Sequence, residues 1–128
     1  MRDHERAMLA YAMLSDLSWQ KGQYLSRDKF LILTAAAACR AGWPDVANRC
    51  YVLVLANNPL HLLGNYDLFT DAMRSPDFEP FLKQLERFCG SEKAEHLLNE
   101  LEIEPVVPKQ EHEMTPGDFV LKILADKL

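Results

Sequence analysis

Three dipeptides constrain this chain more than any other feature: Asn58-Pro59, Ser75-Pro76 and Thr115-Pro116. In each, a side chain suited to capping a helix N-terminus stands directly before proline at the first helical position. The missing proline N–H costs nothing there, and the fixed φ already suits the helix. Thr115-x-x-Asp118 also resembles a capping box with Asp in place of Glu. Gly42 and Gly90 stand where helix C-terminal caps belong, because glycine accepts the left-handed backbone such caps require. A chain punctuated in this way is a succession of helices.

The apolar periodicity between these marks agrees. Phe78, Phe81, Leu82, Leu85, Phe88 and Cys89 recur at three- and four-residue steps, as do Ala94, Leu97, Leu98 and Leu101, and again Phe119, Val120, Ile123 and Leu124. YVLVLA (Tyr51 to Ala56) has the β-propensity of a strand. Its bracketing by Gly42-Trp43-Pro44-Asp45 and Asn58-Pro59 leaves a segment too long for a typical strand, so it reads as a helix. The fold class is therefore all-α, with about seven helices expected over 3–21, 27–41, 45–57, 59–74, 76–89, 91–103 and 116–127. Short connections make successive helices antiparallel neighbours, stacked as hairpins. EPVVPKQEHEMT is the one long connection. It divides the chain into a helical-hairpin domain (1–103), an acidic proline-containing linker (104–115) and a C-terminal helix (116–128). That helix is free to lie in a groove of its own chain or of another.

Charge narrows the partners. Net charge is −5, unevenly distributed. Residues 1–74 carry eight Lys/Arg and seven Asp/Glu, whereas 75–113 carry four against ten. No basic patch suited to nucleic acid or an anionic membrane is visible. The longest apolar runs fall short of the roughly 18 residues of a membrane span, and Asp3 and Glu5 spoil a signal peptide. The expected location is cytoplasmic. Cys39, Cys50 and Cys89 are odd in number and set among apolar residues, so they read as free core thiols.

Helix, glycine turn, helix, then proline is also the grammar of the tetratricopeptide unit. In this chain Leu31-x2-Thr34-Ala35-x2-Ala38, Ala47-x3-Tyr51 and Pro59 hold its spacing, with Gly42 at the turn. Residues 28–61 thus resemble one degenerate tetratricopeptide unit. Ala35 and Ala47 keep the small side chains at close contacts, while Leu31 and Thr34 replace the usual Trp and Leu. The next hairpin loses the signature. The architecture is then either a tetratricopeptide-like superhelix or an irregular helical bundle.

The resemblance implies a non-catalytic protein-interaction module whose groove binds a peptide or a second copy of the chain. The first helix of each hairpin lines that groove. Lys29, Ile32, Ala36 and Arg40 share one helical face, and Leu63, Tyr66, Thr70 and Arg74 occupy the equivalent face about 34 residues on. Arg40 and Arg74 would hold a carboxylate with bidentate forks, which implies an acidic partner. The chain's own acidic linker or last helix is a candidate occupant, to be displaced by that partner.

Two other readings draw on the same residues. Ala38-x3-Gly42, with Arg49 on the following helix, has the spacing of a helix-turn-helix. Asn48 stands where its packing asks for an apolar residue, and YVLVLA offers few polar side chains to base edges, so nucleic acid is disfavoured. A small-molecule-binding helical domain is the remaining alternative. No metalloprotease, di-iron, phosphate-cradle or nucleophile-elbow motif occurs. Glu92 and His96, and Asp67 and Asp71, are each one turn apart, but no further ligands cluster with them, and Glu111-His112-Glu113 lies in the linker. No metal, cofactor or catalytic residue is expected.

Overall fold

The second helix organises the molecule, because it is apolar on every side. The structure, a computed structural model, describes residues 3–111 and 113–125. Among them are seven α-helices: α1 (Asp3–Gln20), α2 (Tyr24–Ala41), α3 (Pro44–Asn57), α4 (Phe69–Arg74), α5 (Glu79–Phe88), α6 (Ser91–Glu100) and α7 (Pro116–Leu124). Short 3-10 turns cover Leu62–Asn65 and Lys109–Glu111. Every residue from Phe30 to Ala38 in α2 is buried. A helix hydrophobic all round must be covered all round, and α1, α3, α4 and α5 each pack on it. Ala35, Ala36, Ala37 and Ala38, none more than 3% exposed, let those neighbours approach closely. Its one buried hydroxyl is satisfied locally, Thr34 Oγ1 donating to Phe30 O at 2.7 Å.

Closed packing selects the irregular bundle over an open superhelix. In a solenoid each repeat touches only its neighbours. Here α1 touches α6 and α7 as well as α2, and α3 touches α7. Residues 104–115 do not form a free linker: Pro105 is buried, and Val107 and Met114 pack on the core. Nor does α7 form a separate unit, since Phe119, Val120 and Leu124 belong to the same core as α1 to α3. Gly117 makes this docking possible, because a Cβ there would overlap Cε3 of the Trp43 ring. At its other end, Arg49 Nη2 donates to Leu124 O at 3.3 Å.

The turn chemistry holds in part. Gly42 has φ +85°, and Trp43 N–H donates to Ala38 O while Gly42 N–H donates to Cys39 O, the paired bonds of a Schellman end. Thr115 Oγ1 accepts from Asp118 N at 3.1 Å, and α7 starts at Pro116. Gly90 differs from expectation: with φ −70° it is the N-cap of α6 and not a C-terminal cap. A second Schellman end, not foreseen, closes α1 at Gly22, where Gln23 N–H donates to Ser18 O.

The helix expected over 59–74 is broken. His61 Nδ1 accepts from Leu63 N–H and starts a 3-10 turn, and Tyr66 and Leu68 are extended. Asp71 Oδ2 then accepts from Leu68 N–H and restarts the chain as the six-residue α4. Side-chain competition for backbone donors, with Gly64 and Asn65 between, outweighs the apolar period here. At Ser75-Pro76, Ser75 O and Oγ accept from Phe78 and Asp77 in a turn, which delays α5 to Glu79 with Pro80 in its first turn.

One polar cluster lies inside the bundle. Arg27 and Asp28, 4% and 6% exposed, stand near the start of α2. Arg27 Nη2 donates to Asp28 Oδ1 at 3.3 Å and to Leu53 O of α3 at 3.2 Å. Its guanidinium carbon is 4.7 Å from the centroid of the Trp19 ring. Asn57 Nδ2 donates to Asp28 Oδ2 at 2.7 Å. These contacts tie the end of α1, the start of α2 and the end of α3 into one corner.

Candidate functional site

Two helices that end near one another place two arginines over a common cleft. Arg40 lies in the last turn of α2 and Arg74 ends α4, positions where the helix dipole favours a cation. The turn through Ser75 and Pro76 brings in Phe78, and the next turns of α5 present Leu82, Lys83 and Glu86. The resulting cleft is about 370 Å³, within the size range of ligand pockets. Phe78 and Leu82 form its floor at 1% and 5% exposure, with Met73 half-buried beside them. Charged groups stand around the rim above this apolar base.

The rim is partly self-neutralised. Lys83 Nζ donates to Glu79 Oε1 at 2.8 Å, and this bond with the ammonium charge holds the Glu79 carboxyl below its usual range. Arg40 Nη1 meets Glu86 Oε2 at 3.3 Å. The Arg74 guanidinium has no ion pair with any described residue. An anion entering the cleft therefore meets Arg74 as its open donor, with a second arginine nearby.

Of the eight groove residues expected from the sequence, Arg40 and Arg74 are brought together. Tyr66 stands just behind them, its hydroxyl 3.2 Å from Ser75 Oγ and its ring edge-on to Phe78. Thr70 is half-buried on α4. Lys29 is exposed at the other end of α2, with Nζ 4.7 Å from the centroid of the Phe88 ring. Ile32 and Leu63 lie in the core and line neither cleft, and Ala36, 1% exposed, lies at the base of a neighbouring cleft and not with Arg74. Nor do the described residues of the linker and the last helix fill the cleft as that reading allowed: Glu111 pairs with Lys122, and α7 docks on α1 and α3. Sequence reading missed Phe78, Leu82, Lys83 and Glu86 as cleft residues. Their spacing on α5 was visible, but which arginines they would face was not.

Elsewhere several polar groups are engaged with one another. A second cleft, about 240 Å³, runs beside the first and includes His4, Tyr11 and Ser91. Tyr11 OH donates to Cys89 O at 2.8 Å, and burial raises its pKa. A polar hollow at Asn99 and Glu104 has its Arg6 paired with Glu95 and its His96 with Glu100. Burial raises the pKa of all three cysteine thiols, which keeps them protonated and weakly nucleophilic at neutral pH. Among the described residues no group of three or more His, Cys, Asp or Glu is placed to hold a metal. His112 lies outside the described residues. Arg49, the basic residue of the helix-turn-helix alternative, is bonded to the end of α7. No helix among the described residues is long and apolar enough to cross a membrane.

No protein-family model, curated protein or solved structure matches this chain.

Proposed function

We propose that this protein is a non-catalytic interaction module that takes an acidic, partly apolar peptide segment into the cleft between α2, α4 and α5. The observation that carries the reading is Arg74 without an ion pair among the described residues, standing with Arg40 above the apolar floor of Phe78 and Leu82. A carboxylate satisfies the guanidinium, and a neighbouring apolar side chain covers the floor. Each half alone is weak; the two together select a segment that carries both. Arginine suits this role because its planar fork binds a carboxylate through two parallel bonds.

The test is fluorescence anisotropy with a short peptide alternating Asp or Glu with Leu or Phe. Binding that weakens by at least about tenfold in R74Q, as loss of a charge-assisted hydrogen bond implies, supports the reading. Equal affinity in wild type and R74Q, or equal affinity for a peptide with Asn and Gln in place of the acids, sinks it.

A further inference from the structure

The two neighbouring clefts share a wall, and that wall is one ion pair. Arg40 and Glu86 both line the cleft that holds Arg74 and also the one that holds His4 and Ser91. The pair is a thin barrier. It has a single contact at 3.3 Å, and the two side chains are 38% and 39% exposed. A guanidinium offers five N–H donors in a fork that matches two carboxylate oxygens, so this contact leaves most of the fork of Arg40 unused. Glu86 is also free to swing into water at little cost.

Beyond the pair, the second cleft leads to the start of α6. Gly90 gives that helix no side-chain cap, and Ser91 lines the cleft. His4 faces the same space, with Asp3 as the acidic residue of that wall. A chain entering at Arg74 and passing Arg40 thus continues toward a helix N-terminus. Arg74 and Arg40 follow one another along the path, with Glu86 bonded to Arg40 and Asp3 on the far wall.

We infer that the acidic segment runs through both clefts and that one of its carboxylates replaces Glu86 on Arg40. Glu86 is then an internal competitor that occupies Arg40 while the site is empty. The segment needs two carboxylates, one for each arginine, with an apolar side chain between them over Phe78 and Leu82. This rests on the acidic-segment reading above and adds its path and the step that admits it.

The experiment is titration of the 15N-labelled full chain with the alternating acidic and apolar peptide, together with affinities for E86Q, R40Q and the double variant. All of these substitutions are at exposed or half-exposed positions. Expected are amide shifts both around Met73 to Lys83 and at Ser91, and an affinity gain of about two- to fivefold in E86Q, the scale of an exposed ion pair. That gain disappears in the R40Q background, because only Arg40 is contested. Shifts confined to the first cleft, or an equal gain from E86Q with and without Arg40, overturn the inference and leave the acidic-segment reading standing. No shifts in either the wild type or E86Q overturn both.

Discussion

Asp28 carries more of the fold than its exposed neighbours suggest. Its carboxylate holds Arg27 on one side and Asn57 on the other, in a corner where three helices meet. Removing one member of a buried ion pair costs about 3–5 kcal/mol, because the partner's charge stays behind in a medium that solvates it poorly. Asp28→Ala should therefore lower the unfolding free energy by about that amount, read from the urea midpoint, whereas Asn57→Ala removes one hydrogen bond and should cost about 1–2 kcal/mol. Gly117 is a steric constraint of another kind. Its Cα lies against the Trp43 ring, and an added methyl overlaps Cε3, Cδ2 and Cζ3 together. Gly117→Ala should cost about 1–3 kcal/mol through forced repacking, with a red shift of tryptophan emission as Trp43 loses its cover. None of these roles was legible in the sequence. Asp28 and Arg27 look like an ordinary first-turn pair, and Gly117 like one more residue after a proline.

At the scale of elements, two positions offer opposite tests of one rule. Gly42 and Glu102 both have positive φ, +85° and +59°. At Glu102, Ile103 N–H donates to Leu98 O and Glu102 N–H to Asn99 O, so α6 ends in a Schellman motif without glycine. That is why α6 stops before the 103 expected from its apolar period: the stop signal is conformational and its residue type does not announce it. A Cβ at Gly42 meets nothing within 4 Å, so the cost of Gly42→Ala is the backbone's alone, about 1–2 kcal/mol. Glu102→Gly relieves the same strain and should stabilise by about 0.5–1 kcal/mol; the two urea midpoints should move in opposite directions. The segment between α3 and α4 adds a pH dependence. His61 Nδ1 accepts from Leu63 N–H, which requires an unprotonated Nδ1. Burial lowers the imidazole pKa, and Asp28 pulls weakly the other way. The unfolded chain thus binds the proton more readily. The stabilisation is fully present above the ordinary histidine pKa of about 6.5 and is lost as pH falls through the lower folded value. The urea midpoint should fall with acidification in that window, and His61→Gln should flatten the slope.

At the scale of the whole molecule, closure decides how the chain unfolds. An open array of repeats tolerates the loss of a terminal unit, because stability is a sum over neighbours. Here α7 seals α1 against α3, and its Phe119, Val120 and Leu124 belong to the one core. Deleting 116–128 should therefore destabilise the entire bundle and lower the thermal midpoint of α1 to α3 with it. The intact chain should unfold in a single transition, with circular dichroism and tryptophan emission coincident.

Helix content, the α2–α3 hairpin with its Gly42 turn, and the cap of α7 at Thr115 were determined by the sequence alone. Each depends on a backbone preference or an apolar period that acts over a few residues. The break at His61, the side of α5 that faces Arg40 and Arg74, the burial of Ile32, Ala36 and Leu63, and the resting place of α7 were decided only in three dimensions. Those outcomes depend on which surfaces meet across the whole chain. A periodic pattern states that a face is buried without stating what covers it, and α2 shows the consequence: its apolar circumference predicts burial equally well in a stack or in a closed bundle, and only the docking of distant helices distinguishes them.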